Sequence, residues 1–153
     1  MIIKVSKIPF KANAAALTIG PFIFVTDEYA DNKSYIEHEK FHVRMFLYFV
    51  AVSAVIAAAL WFFGFVGLWT AIPLAFTGAA ARAGLYTLSE KFRLWEEIRG
   101  YAIQAAIEKH SKEKMEKTAA LIRANYNVKK ATEAKIFGKL VDDRQIYDER
   151  FGA

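Results

Sequence analysis

Cysteine is absent from this 153-residue chain. That excludes a disulfide framework and any thiolate-bound metal, though it leaves the compartment open. Histidine is nearly absent as well, with only His38, His42 and His110. Charge is missing altogether from Met45 to Ala81. The formal net charge of +5 contains no single long basic block, so nucleic acid is not an expected partner. No phosphate loop, internal repeat or low-complexity tract is present. The opening Met1-Ile-Ile-Lys-Val-Ser-Lys-Ile-Pro-Phe10 is interrupted by lysines and does not read as a signal peptide. What the chain does have is apolar surface: 55% of its residues are hydrophobic and 15% aromatic. An ordinary globular domain runs at about 45–50% apolar.

Two of the three histidines fall in one pentapeptide, His38-Glu39-Lys40-Phe41-His42. This is H-E-x-x-H, the pattern of a zinc-dependent hydrolase. On a helix over residues 34–45, His42 lies about 40° round from His38, and Glu39 about 100° round. Both imidazoles then point the same way, one turn apart, and can share one Zn²⁺. Glu39 sits at the edge of that face. It is too far round to be the natural third ligand, but it can reach a water on the metal. Zinc lowers the pKa of such a water to about 7, and a carboxylate can take its proton. Asp31, Asn32 and Ser34 are good caps, and Ser34 with Glu37 fits a capping box. Residues 21–26, short, aromatic and β-branched, read as a preceding strand. Its Phe22–Val25 portion is a candidate sheet edge for an extended peptide.

A catalytic zinc usually has three protein ligands and an open position. Without cysteine, and with His110 alone, a carboxylate is the economical third. Glu96 and Glu97 stand on an expected helix from Ser89 to His110, about 100° apart, so only one of them should face the site. The layout resembles the gluzincin zinc peptidases, whose third ligand is a glutamate on a later helix. More narrowly, it resembles the membrane zinc peptidases of the heat-shock and CAAX-prenyl-protease type, which place an apolar segment between the two zinc helices. Small phage and bacterial proteins with a Glu-x-x-Ala-Tyr pattern are similar too. Here Glu97-Ile98-Arg99-Gly100-Tyr101 fits that pattern. The resemblance covers roughly residues 20–105. It implies Zn²⁺ held by His38, His42 and Glu97, with Glu39 as general base and Glu96 as the rival ligand. Glycine in place of alanine reads as a minor departure, and a small residue there lets two helices approach closely. Tyr101 stands where the membrane peptidases carry an aspartate behind a histidine. It can donate a hydrogen bond to a ligand or to an oxyanion, or be a packed aromatic.

The uncharged stretch has enough length for one membrane span and a tight return, with Gly64 and Gly67 as the turn and the second arm running to Leu88. Trp61, Phe62, Phe63 and Trp69 flank that turn, where an aromatic belt would lie. If His42 and Glu97 bind one ion, the chain must cross the membrane an even number of times between them. Lys33, Lys40, Arg44, Arg82, Lys91, Arg93 and Arg99 flank the base of the hairpin, and its tip carries none. The positive-inside rule then places the base and the active site in the cytoplasm. A hairpin buried in a soluble core or an oligomer is the other reading of residues 45–88, with a soluble cytoplasmic or virion-associated protein as its consequence.

The expectation is one mostly helical α+β domain over residues 1–153, with short N-terminal strands, an H-E-x-x-H helix, the apolar hairpin at 45–88, a third-ligand helix and C-terminal helices. Ala14 to Ile19 reads as a connector or short helix. Ala102 to Arg123 reads as a solvated helix broken near His110-Ser111, with a stop at Asn125-Tyr-Asn127 and a further helix over 131–141. The expected activity is peptide-bond hydrolysis, with a peptide or protein substrate and membrane lipid as partners. The alternative is a non-enzymatic membrane or assembly protein whose metal is structural or absent.

Overall fold

The computed structural model describes residues 1–8, 15–125 and 133–151. Three short strands precede six helices: β1 (Ile2–Val5), β2 (Ala16–Ile19), β3 (Phe22–Thr26), α1 (Lys33–Phe62), α2 (Leu68–Ala75), α3 (Thr77–Leu88), α4 (Glu90–Ile107), α5 (Lys112–Asn125) and α6 (Glu133–Phe151). The sheet order is β1-β3-β2, with β1 parallel and β2 antiparallel to β3.

The strands differ from expectation at two places. Residues 16–19 form a strand, not a connector or helix, because a turn through Gly20 (φ 58°) and Pro21 folds them back onto β3. Phe22–Val25 is not a sheet edge. It lies in the central strand, which explains why Ile23 and Val25 are buried. The edge strand packed beside α1 is β2.

The H-E-x-x-H helix does not stop before the apolar run. It continues as one helix of 30 residues, about 45 Å long at 1.5 Å per residue. Its N-cap is Asn32, whose side chain accepts from the backbone N–H groups of Ser34 and Tyr35. The expected Ser34–Glu37 capping box is absent. Ser34 lies inside the helix and its hydroxyl goes to Asn32 and Glu108, while Glu37 pairs with Lys40 and Arg44.

Gly64 (φ 76°) forms the turn at the tip, and the return arm is divided into α2 and α3 at Phe76. Ala75 ends α2, where carbonyls lack intrahelical partners, and Ser53 Oγ of α1 donates to the Ala75 carbonyl oxygen at 2.6 Å. Gly78 is buried where α3 crosses α1. A Cβ there would lie 2.0 Å from the Phe49 carbonyl oxygen.

The core lies at the other end, among Ile98, Ala102 and Ala105 of α4, Met115, Ala119 and Ile122 of α5, and Ile136 and Leu140 of α6. Residues 102–123 are therefore not a solvated helix. They contribute a buried stripe whose alanines carry little hydrophobic signal. The break falls at His110-Ser111 as expected, after Lys109 turns the chain with φ 51°. The last helix, Glu133–Phe151, extends well past the expected end at 141. Tyr126 and Asn127 of the expected stop, and the first two residues of the expected helix at 131, lie outside the described residues.

Candidate metal centre

Three buried side chains from α1 and α4 converge: His38, His42 and Glu97. One ligand atom from each lies within 4.8 Å of the others. His38 Nε2 is 3.7 Å from Glu97 Oε2, and His42 Nε2 is 3.8 Å from Glu97 Oε1. A tetrahedral zinc at about 2.0–2.1 Å from each donor sets donor–donor separations near 3.4 Å. The two histidine–glutamate separations, one to each oxygen of Glu97, are within a few tenths of an ångström of that, the three-atom set as a whole spans up to 4.8 Å, and two nitrogens with one carboxylate oxygen are a donor set that zinc accepts. Among the described residues this is the one such group.

Gly100 explains how the two helices come so close. A Cβ on it would lie 2.7 Å from His38 Nε2 and 2.8 Å from its Cε1. The glycine is thus not a minor departure from alanine. Any side chain at 100 presses directly on an imidazole. Tyr101, the next residue, packs edge-on against the His38 ring, with centroids 4.8 Å apart. Burial, helped by the nearby Glu97, pushes its phenol pKa up and keeps it protonated.

The sequence placed only one glutamate of the pair at the site. Both are there, on opposite sides of His42. Glu97 faces the Nε2 atoms, whereas Glu96, fully buried, puts Oε1 3.6 Å from His42 Nδ1. That is longer than a hydrogen bond, and His42 Nδ1 and Glu96 Oε2 have no other partner. Glu96 is thus the carboxylate that stands behind His42. Burial opposes ionisation of Glu97, but the His38 and His42 imidazoles beside it and the Tyr86 hydroxyl outweigh it. They hold its carboxyl at about 2.

Three contacts were not legible beforehand. Arg82 donates to Glu96 Oε1 through Nη2 at 2.6 Å and Nε at 3.2 Å. The Tyr86 hydroxyl donates to Glu97 Oε1. Thr18, on β2, donates its hydroxyl to Glu39 Oε2 at 2.6 Å. Arg82 is the first charge after the apolar stretch and Tyr86 follows it by one turn, which was the available signal for that pair. Thr18 had none. Glu39 itself is half-buried on the rim of the histidine face, as the helical geometry required.

The surface beyond the site is apolar. Among the described residues α1 is the one helix long and apolar enough, by length and composition, to cross a membrane. Only 6% of its most apolar stretch of 18 residues is buried inside the protein. Compared with protein-family models, curated proteins and solved structures, the chain matches none.

Proposed function

We propose that this chain is a small membrane-associated zinc peptidase. The observation that carries the reading is the convergence of His38, His42 and Glu97 beside a carboxylate, Glu39, whose orientation Thr18 fixes. A bound zinc would supply Lewis acidity, polarising a peptide carbonyl and acidifying a water. The chain's own groups do the rest. Glu39 takes a proton from the attacking water as its oxygen bonds to the carbonyl carbon. It then returns that proton to the amide nitrogen as the C–N bond breaks. Tyr101 stays a phenol and keeps the His38 ring in place. Among the described residues the outer edge of β2, beside Glu39, pairs with no further strand, and an extended peptide can add to it by backbone hydrogen bonds.

Lipid is the partner proposed for the hairpin. Its tip and arms expose Phe62, Phe63, Phe65, Trp69 and Phe76 in a region with no charge, while basic residues gather at its base. By the positive-inside rule the site faces the cytoplasm.

Metal content and turnover test the reading together. Purified wild type is expected to carry about one zinc per chain. His38→Ala or His42→Ala should lose it. Glu39→Gln should keep the metal and lose roughly 10²–10⁴-fold in hydrolysis of a peptide library. A Glu39→Gln protein that cleaves as well as wild type would sink the catalytic assignment. Zinc bound through both histidines with no hydrolysis by wild type would leave a structural metal in a membrane protein.

A further inference from the structure

The proposed metal site is built from α1 and α4, yet the contacts behind two of its ligands come from a third helix. Arg82 and Tyr86 are four residues apart on α3, so they share one face. Arg82 directs two N–H donors at one oxygen, Glu96 Oε1, and that oxygen is the one beside His42 Nδ1. Tyr86 donates to Glu97 Oε1, and its ring centroid lies 6.4 Å from that of His42. The Arg82 guanidinium stands over the Tyr86 ring, 5.6 Å from its centroid. The two residues thus form one unit that touches two different ligands from outside.

We infer that α3, the return arm of the hairpin, is a working part of the metal centre: Arg82 positions His42 through Glu96, and Tyr86 positions Glu97. The inference rests on the metal reading above. An imidazole that gives Nε2 to a metal carries its proton on Nδ1, and a carboxylate beside Nδ1 fixes that tautomer and the ring's orientation. Glu96 is fully buried, and a buried carboxylate persists only with a partner. Arg82 is that partner, permanently charged, its side chain 12% exposed. The Tyr86 hydroxyl holds one oxygen of Glu97, which sets how the carboxylate is presented to an ion between the histidines.

A consequence reaches into the hairpin. Arg82 and Tyr86 are brought to the ligands by the seating of α3 on α1, through the close approach at Gly78 and the Ser53 bond to Ala75. Metal retention is therefore linked to how the return arm packs, and a hairpin unseated from α1 loses the support behind two ligands together.

The test uses the full chain in detergent micelles. Zinc affinity is read by competition with a chelator, and the site's geometry by the visible spectrum of the cobalt-loaded protein. Tyr86→Phe keeps the ring and removes only the hydroxyl. The double variant Arg82→Met with Glu96→Leu removes both charges, so no buried charge is orphaned and folding is not the readout. Leu85→Ala, on an exposed face of the same helix, is the control. Tyr86→Phe and the double variant should each bind zinc about 10–100-fold more weakly and shift the cobalt bands, with Leu85→Ala unchanged. Arg82→Lys, which keeps the charge, should bind more tightly than the double variant. Unchanged affinity and spectra in Tyr86→Phe and in the double variant would overturn the inference while leaving the zinc site intact. A wild type that takes up no zinc or cobalt would instead overturn the metal reading itself.

Discussion

Along α1 the first three turns bury Ser34, His38, Phe41 and His42, whereas the turns beyond Met45 bury only Ser53 and Ala57. The lower part packs on α4 and the sheet. The upper part packs on the return arm, meets α4 only near its lower end, where Phe49 faces Phe92, and leaves Val55 and Ile56 exposed. A soluble monomer rarely exposes a contiguous apolar patch above a few hundred Å². The contrast teaches that the base covers its apolar residues with its own core, whereas the hairpin leaves most of its own uncovered.

The largest effect should separate the two regions directly. Leu140, fully buried in α6, belongs to the base. Leu140→Ala should cost about 2–5 kcal/mol in denaturant unfolding of the detergent-solubilised protein. Val55→Ala, at a position 70% exposed on the hairpin, should stay within about 0.5 kcal/mol in the same measurement. Equal losses would mean that the hairpin is packed against something the base also needs.

A charge sharpens the same comparison. Val55→Lys places an ammonium mid-way along the upper part of α1. In lipid it should disfavour insertion by about 2.5–3.5 kcal/mol, read as lost partition into vesicles. In a soluble particle it would be an ordinary surface change. Unaltered partition would remove the hairpin from the membrane.

Next come two glycines that do similar work in the two regions. Gly78→Ala meets the Phe49 carbonyl, backbone that cannot swing aside, and should cost about 1–3 kcal/mol as α3 moves off α1. Gly100→Ala meets the His38 ring, which can turn, so the main loss should be in zinc affinity, on the order of tenfold. Chelator competition on both variants, with unfolding curves alongside, would distinguish them. A Gly100→Ala protein with wild-type affinity would mean that the ring has room the structure does not give it.

The sequence carried the parts of this arrangement that are local. His38, Glu39 and His42 follow from helical geometry alone, and the turn at Gly64 from an uncharged run with glycine in its middle. Glu97 needed a family pattern to be preferred over Glu96. The pairing of Arg82 with Glu96, and of Thr18 with Glu39, joins segments 14 and 21 residues apart, and no periodicity encodes such contacts. The misread strand at residues 16–19 has the same origin: Ala16-Leu-Thr-Ile19 has no strong local preference, and pairing with β3 decides it. The buried face of α5 was missed because charged Glu116 and Lys117 stand between Met115 and Ala119, and exposed Ala120 and Leu121 blur the apolar spacing before Ile122.

The smallest effect is a pH dependence confined to the base, since Met45 to Ala81 holds no charged group to titrate. Glu108, at the end of α4, accepts from Ser34, from Gln104 at 3.3 Å and from Lys114 at 2.8 Å, and lies 2.6 Å from His110 Nε2. It ties the start of α1 to the α4–α5 corner. Partial burial opposes its charge, but Lys114, Ser34, His110 and Gln104 outweigh that and hold the carboxyl at about 2, below the ordinary 4.5. A depressed carboxyl contributes stability that is complete above its unfolded pKa and is lost as pH falls through its folded one. The window is thus from about 4.5 down to about 2. Glu108→Gln should cost about 1 kcal/mol near neutrality, because the amide still accepts from Ser34. The gap between wild type and variant should then shrink as pH drops through that window. Subtracting the two melting curves cancels the contribution of carboxyls that do not touch Glu108, such as Glu97, which both proteins share. A gap that stays constant down to pH 2 would mean that the carboxylate's charge contributes nothing to holding α1 on the base.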